Sequence, residues 1–307
     1  MTLEQIRVFV AVVEHGSIRG AARELGLAQS GLTQQIKRLE VSLGVELFTR
    51  GRMGIVLTGA GDSFLARSRL ILRECGYALT EARSHNTDIL GKLSVGASAE
   101  AFSECLLPVI DQFRARYKRV SLHIASGPAN TLLTRVREGR LDFAVTLLSS
   151  SADITDLAHV RLQGAQPAIL CRQGHPLGQA TSIHDLAGAE WVSTSWLARQ
   201  GAPSNRLYDL FNYHGCGTPN VILTVESLFD TLSLLCNSDM LFLGPSFVLG
   251  TAAFNRHLSY IPISEGIPAM DLCLIHLAQV PLQAPARELA SMAISYSKLP
   301  RATQAIR

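Results

Sequence analysis

With 307 residues, 47% of them hydrophobic, the chain can bury more than one core, and two or three domains are expected. Its net charge of +3 is too weak to identify a nucleic-acid partner, so any such partner has to be argued from where residues fall. Six scattered cysteines without a C-x-x-C pair speak against a disulfide framework or a zinc site, and no signal peptide or bilayer-length apolar run is seen, so a cytoplasmic location is expected.

The first element is an amphipathic helix with Leu3, Ile6, Phe9, Val10 and Val13 on one buried stripe. Ser17 can cap a second helix that buries Ile18, Ala21, Ala22 and Leu25, where the paired alanines admit a close neighbour; Gly26 ends it. A third helix buries Leu32, Ile36, Leu39 and Leu43. Its free side then carries Gln29, Ser30, Thr33, Gln34, Lys37 and Arg38. Amides and hydroxyls of that length read base edges in a major groove, while Lys and Arg hold phosphates, so the pattern is that of a helix-turn-helix. A solvated outer face of an ordinary three-helix bundle is the competing reading.

Two β-prone runs follow, Leu47-Phe48-Thr49-Arg50 and Ile55-Val56-Leu57-Thr58, around Gly51-Arg52-Met53-Gly54. A hairpin with Arg50 and Arg52 near its tip would act as a wing that places a guanidinium against the minor groove. Phe9, Gly16-Ser17, Ala21-Ala22, Leu25, Gln29, Leu39-Glu40, Leu43-Gly44, Leu47-Phe48, Arg50, Leu57-Thr58 and Gly61 together resemble the DNA-binding signature of the LysR-type transcriptional regulators. Gly31 departs from that pattern, where proline or alanine is frequent, and Thr33 stands in place of serine. A glycine there softens the start of the helix by up to about 1 kcal/mol relative to alanine.

Thr58 can cap a long helix from Gly59 to Asp88, with Leu65, Leu72 and Leu79 at every seventh position and Phe64, Ile71 and Ala78 widening the stripe. The pattern suits a paired helix, or else a single amphipathic helix packed on its own chain. The resemblance implies dimerisation through this linker helix, hence two recognition helices on an inverted-repeat operator. It further implies a homotetramer and admits RNA polymerase as a partner.

Beyond a hinge at 89–91, short apolar runs alternate with helical patterns: Leu93 to Ala97, Leu106 to Tyr117, Val120 to Ala125, Thr131 to Glu138 and Asp142 to Leu147. Similar alternation continues through Ala168 to Cys171, Trp191 to Ser193, Arg206 to His214, Val221 to Val225, Leu228 to Leu235, Met240 to Leu243, a helix at Phe247 to Asn255, a strand at Leu272 to Leu277 and a helix at Ala286 to Lys298. Such a series predicts parallel α/β units, so the overall class is α/β: a mainly helical winged head (1–58), the linker helix (59–88) and a two-lobed effector domain. The LysR resemblance implies lobes of the periplasmic-binding-protein type, the first at 92–161 plus 267–307 and the second at 162–266.

A cleft at the carboxyl ends of such strands suits small anions, because free N–H groups and helix dipoles converge there. The junction residues are Ser98 and Ala99, then Pro128 and Asn130, then Ser193, Thr194 and Ser195, with Phe102 and Arg199 able to stack or supply counter-charge. The resemblance implies that these loops line an inducer pocket, although Pro128 stands where the family often has a hydroxyl. Simple helix capping is the competing role for each hydroxyl. Val225-Glu226-Ser227 and the turn Cys236-Asn237-Ser238-Asp239-Met240 look similar to the branch that regulates aromatic-sulfonate breakdown and sugar uptake, so the expected effector is a small organic molecule, anionic or aromatic.

No H-E-x-x-H, G-x-S-x-G or G-x-x-x-x-G-K-[ST] motif occurs, and the nine histidines show no metal-ligand spacing. An enzyme and a cofactor are therefore not expected. An architectural DNA-binding protein without effector remains the alternative, against which the long α/β remainder argues.

Overall fold

The computed structural model describes residues 1–51, 54–83, 91–148, 152–165, 167–194, 206–267 and 270–299. Arg52, Ser195, Arg199 and the hinge positions 89 and 90 lie outside them. By contact the chain divides into two compact units, one of Met1–Gly96, Ile110–Ala144 and Ile275–Met292, the other of Ala97–Val109, Val145–Leu274 and the segment from Ala293.

The first unit begins with α1 (Leu3–Glu14), whose N-terminus is closed by a reciprocal cap: Thr2 Oγ1 accepts from Gln5 N, and Thr2 N donates to Gln5 Oε1. Ser17 Oγ accepts from Gly20 N at 3.0 Å to start α2 (Ile18–Leu25), and Gly26 ends it at φ 65°. Next comes α3 (Gln29–Leu43), stopped by Gly44 at φ 71°. Phe9, Leu32, Leu39 and Leu47 are fully buried among these helices. Leu3, expected in the buried stripe, is exposed; the first turn of α1 runs past the edge of the core.

The wing is a hairpin of β1 (Phe48–Gly51) and β2 (Gly54–Leu57), antiparallel in the register Phe48 with Leu57 and Arg50 with Ile55. Glu40 of α3 ties it down, its Oε1 accepting from Leu47 N at 2.8 Å and Phe48 N at 3.3 Å. Thr58 Oγ1 donates to Glu46 O and accepts from Gly61 N, launching α4 (Gly59–Arg83). A Cβ on Gly61 would collide with the Leu47 carbonyl, so glycine is required where α4 crosses the wing. The expected linker helix is thus present, its last expected residues lying outside the described ones.

The heptad leucines of α4 have different surroundings. Leu65 is buried and Leu72 partly buried against the helix-turn-helix core, and Phe64 sits 5.2 Å from Phe9, ring to ring. Leu79 is 53% exposed, and Ile71 and Ala78 are exposed too. The first half of the stripe packs on its own chain and the second half stays free.

The α/β remainder has a five-stranded sheet in the order β4 (Val120–Ser126), β3 (Gly91–Ala97), β5 (Phe143–Leu148), β12 (Met270–Leu277), β6 (Leu157–Ala165). Helices α6 (Leu107–Arg116), α7 (Ala129–Arg137) and α10 (Ala284–Ser297) match the expected patterns. A short helix α5 (Ala99–Ala101) runs into a π-helical turn at Phe102–Leu106. In the second unit β7 (Pro167–Arg172) pairs antiparallel with both β10 (Phe242–Pro245) and β11 (Leu258–Ile261), whereas β8 (Glu190–Ser193) and β9 (Asn220–Thr224) run parallel. The expectation of parallel units does not extend to β7, which two distant strands, one of them the unanticipated β11, flank in reverse. Packed on these strands are α8 (Arg206–Tyr213) and α9 (Leu228–Leu235). The expected helix from Phe247 to Asn255 is only a 3-10 turn, Ser246–Gly250, because Thr251 adopts extended φ and ψ.

His175 is a structural group: Nε2 lies 2.9 Å from Asp239 O and Nδ1 accepts from Leu177 N. Asp239 also pairs with Arg172 at 2.7 Å, so the Ser238-Asp239 turn is anchored by side chains.

Glu265 accepts hydrogen bonds from Ser182 Oγ, Ile183 N and Ser264 Oγ. Chiefly through the Ser182 bond, its carboxyl is held at about 2 rather than the ordinary 4.5. A depressed carboxylate stabilises the fold above its unfolded pKa and loses that contribution as pH falls through the folded one. We predict that the gap in unfolding midpoint between wild type and Glu265→Gln narrows as pH falls from 4.5 toward 2; a gap unchanged across that range would exclude the carboxylate as its source.

Candidate DNA-reading face and effector site

The α3 surface presents the expected inventory to solvent: Gln29, Ser30, Gln34, Lys37 and Arg38 are exposed, while Thr33 is partly covered. Thr33 Oγ1 donates to Gln29 O at 3.0 Å, so its hydroxyl hydrogen is used within the helix and its lone pairs remain for a donor on a base. Ala28 supplies no side-chain cap. The first N–H groups of α3 are therefore left without side-chain acceptors, and a phosphate oxygen can take them together with the helix dipole. Nothing lies within 4 Å of a Cβ built on Gly31, so no packing constraint demands glycine there.

The effector-loop residues have mixed roles. Ser98 caps α5, its Oγ accepting from Ala101 N at 3.3 Å, and Ala99 beside it is exposed. Phe102 is half-buried at the start of the π-helical turn, an irregularity that often accompanies binding sites. Pro128 is the N-cap of α7, without a side-chain cap bond, and Asn130 turns its Oδ1 back to Thr131 N at 2.8 Å. Ser193 and Thr194 are partly buried at the end of β8.

Sequence reasoning missed two charged groups beside Ser98. Glu100 bonds Ser98 and feels the charge of Arg206 at the start of α8. Burial, more than the nearby Glu104, raises the Glu100 carboxyl above the ordinary range, while its backbone bond and Arg206 oppose the rise. Burial likewise lowers the Arg206 guanidinium, which Glu100 partly restores. Nη2 of Arg206 is buried and has no hydrogen-bond partner among the described residues. Glu104 itself is bonded to Gln163. No motif flagged this pair, because Glu100 and Arg206 are 106 positions apart and each reads alone as a solvated helix-start charge.

The cysteines form no disulfide among the described residues. Cys105 is buried, and burial, then Glu265, raises the Cys216 thiol, which stands 3.4 Å from His184 Nδ1. A raised thiol is the opposite of what a reactive cysteine needs. No group of three or more His, Cys, Asp or Glu able to hold a metal occurs among the described residues.

A winged helix-turn-helix joined by a long helix to an α/β effector domain defines a DNA-binding transcriptional regulator. The bacterial regulatory helix-turn-helix of the lysR family matches residues 3–62, and the LysR substrate binding domain matches residues 87–297, so this chain belongs to the LysR family. Members are transcriptional regulators with a domain for small effectors, not enzymes. The chain is 26% identical over 294 residues to the HTH-type transcriptional regulator TdcA of Escherichia coli K12, covering 96% of this chain and 93% of that one. It is 33% identical over 193 residues to BudR of Raoultella terrigena, 62% of this chain and 66% of that one. Among solved structures, full-length CbnR in complex with its target DNA superposes with a TM-score of 0.66 at 20% identity, covering 97% and 99% of the two chains, and full-length OxyR from Pseudomonas aeruginosa with 0.69 at 20%, covering 97% and 95%. At that identity the structures share the fold.

We predict that Gly31→Ala stabilises the DNA-binding unit by up to about 1 kcal/mol, read as a higher urea midpoint. A lower midpoint would show that the open space around Gly31 is not what it appears from the backbone.

Proposed function

We propose that this regulator reads an inverted-repeat operator as an oligomer through Gln29, Ser30, Thr33 and Gln34, with Lys37, Arg38, Arg50 and Arg52 on the phosphates and adjoining minor groove. The exposure of Gln29, Ser30 and Gln34 on an uncapped α3 beside a wing is the observation that supports this. Pairing of two chains uses the free half of the α4 stripe, where Ile71, Ala78 and Leu79 are exposed. Dimers assemble further to the tetramer that the family resemblance implies, and the protein works in the cytoplasm with RNA polymerase as its downstream partner. Replacing Gln29 with alanine should cost roughly 1 to 3 kcal/mol of discrimination between the preferred duplex and random DNA, measured by competition binding. Equal losses on both DNAs would reassign Gln29 to backbone contact.

The effector in this reading is a small organic anion, with Ser98, Phe102, Ser193 and Thr194 as contacts and Arg206 as its counter-charge; the Pro128–Asn130 loop is assigned to the same ligand by the family resemblance alone. The buried, orphan Nη2 of the partly exposed Arg206 supports that class, since an unpaired donor shielded from water gains most from a charged acceptor. In thermal-shift measurements benzoate, benzenesulfonate and gluconate are the probes. An anion at 100 times its Kd should stabilise the folded state by about 2.7 kcal/mol, and Arg206→Gln should abolish the shift. An equal shift with benzamide, or one that survives Arg206→Gln, would overturn the anionic assignment.

A further inference from the structure

One face of α4 is bound to the turn that ends α7. Arg73 Nη1 contacts Asp142 Oδ1 at 3.4 Å and the carbonyls of Leu141 and Gly139 at 3.2 and 3.4 Å. Asp142 is almost wholly buried and ties the same turn to β3, accepting from Ser94 N at 2.8 Å while its own N–H donates to Ser94 O at 2.7 Å. Arg69, 8% exposed, stands between Glu14 of α1 at 3.9 Å and Glu138 of the turn at 3.8 Å. Leu70 fills the space beside Gly139, where a Cβ would lie 2.9 Å from its Cδ2 and φ is +65°. Glu74 accepts from Gln283 Nε2 at 2.9 Å, closing the other side.

This turn lies at the far end of the elements that carry two effector-loop residues. α7 starts at Pro128, places Asn130 in its first turn and delivers Glu138 and Gly139 at its end, about 14 Å away at 1.5 Å per residue. β3 ends at Ala97, one residue before Ser98, and Gly96 within it admits Leu132 of α7 and Leu141 of the turn to contact distance. β3, α7 and the turn are therefore packed closely on one another. On α4, the two arginines lie one turn apart, in the same helix whose Phe64 and Leu65 are part of the DNA-reader's core.

We propose that Arg69 and Arg73 form a latch that transmits the state of the Pro128–Asn130 loop, through α7 and the turn at 138–142, to α1 and the DNA-reading head. The inference rests on the effector reading of that loop and names how the site is regulated. An anion that draws the N-terminus of α7 toward itself displaces Glu138 and the Gly139 and Leu141 carbonyls at the other end, and the arginines must follow or let go. Both sites then bias one two-state contact, the physical requirement for coupling between distant sites. Arginine suits the role because its fork spans several oxygens at once, so contact is lost stepwise with small displacements.

Reciprocity allows a test without the effector, since a ligand coupled to the latch from either end must be felt at the other. The full-length protein is studied by hydrogen exchange, free and bound to a duplex that it enriches from a random pool. In wild type, DNA should change exchange roughly tenfold at amides 139–142 and in the first turn of α7. Arg69→Gln/Arg73→Gln should keep DNA binding through α3 and lose that remote change. Gly139→Ala keeps both arginines but strains the turn and crowds Leu70, and should lose it as well; native exchange in α1–α3 and β7 reports that each variant is folded. Unchanged exchange at 131–142 on DNA binding to wild type would overturn the latch, as would a change that survives in both variants. A flat response to the anion panel alongside a DNA-linked change would remove the effector reading and leave the coupling.

Discussion

The rest of the first unit depends on the shared core between α4 and the helix-turn-helix. Phe9 is the common partner, with Phe48 of the wing 5.3 Å away on one side and Phe64 of α4 5.2 Å away on the other. Aromatic groups in tilted contact gain on the order of 1 kcal/mol beyond their buried area, and here one ring holds three elements. Because Leu65 joins the same cluster, the linker helix is continuous with the reading head and not tethered to it. A tilt of α4 is then a tilt of α3, because the two helices share one core.

Charge is used sparingly and in buried places. Arg69 pays a desolvation cost that pushes its guanidinium below the ordinary arginine range, with Arg140 adding repulsion and Glu14 and Glu138 opposing it. Arg206 meets a similar cost beside Glu100. A cation kept in such a position is costly unless an anion completes it, so both sites respond strongly to small changes in their partners. The net charge of +3 conceals this, because the responsive charges are distinguished by environment and not by number.

Much of the architecture was legible in the order of residues. Ser17, Gly26 and Thr58 specify helix ends through local backbone chemistry, and each is found in that role. Glu40, Thr58 and Gly61 belong to the family-like signature, and the structure explains them as the bonds and the close approach that lock the wing to α3 and α4. In the effector domain the helix and strand patterns were mostly recovered, yet β11 was missed and the antiparallel pairing of β7 was not foreseen. Four residues of half-buried strand leave almost no periodic trace, and strand direction is set by which distant segment arrives beside it.

The sequence by itself determined the caps, the three helices of the reader, the wing and the polar inventory of α3, since all of these arise from interactions within a few residues or from one helical period. Only the tertiary structure decided how the leucine heptad is divided, with Leu65 and Leu72 turned to the chain's own core and Leu79 left free. The same holds for the meeting of Glu100 with Arg206 and of Arg73 with Asp142. The reason is physical: a heptad states which residues share a stripe but not what covers it, and a charge acquires its meaning from desolvation and from partners that the fold brings from far along the chain.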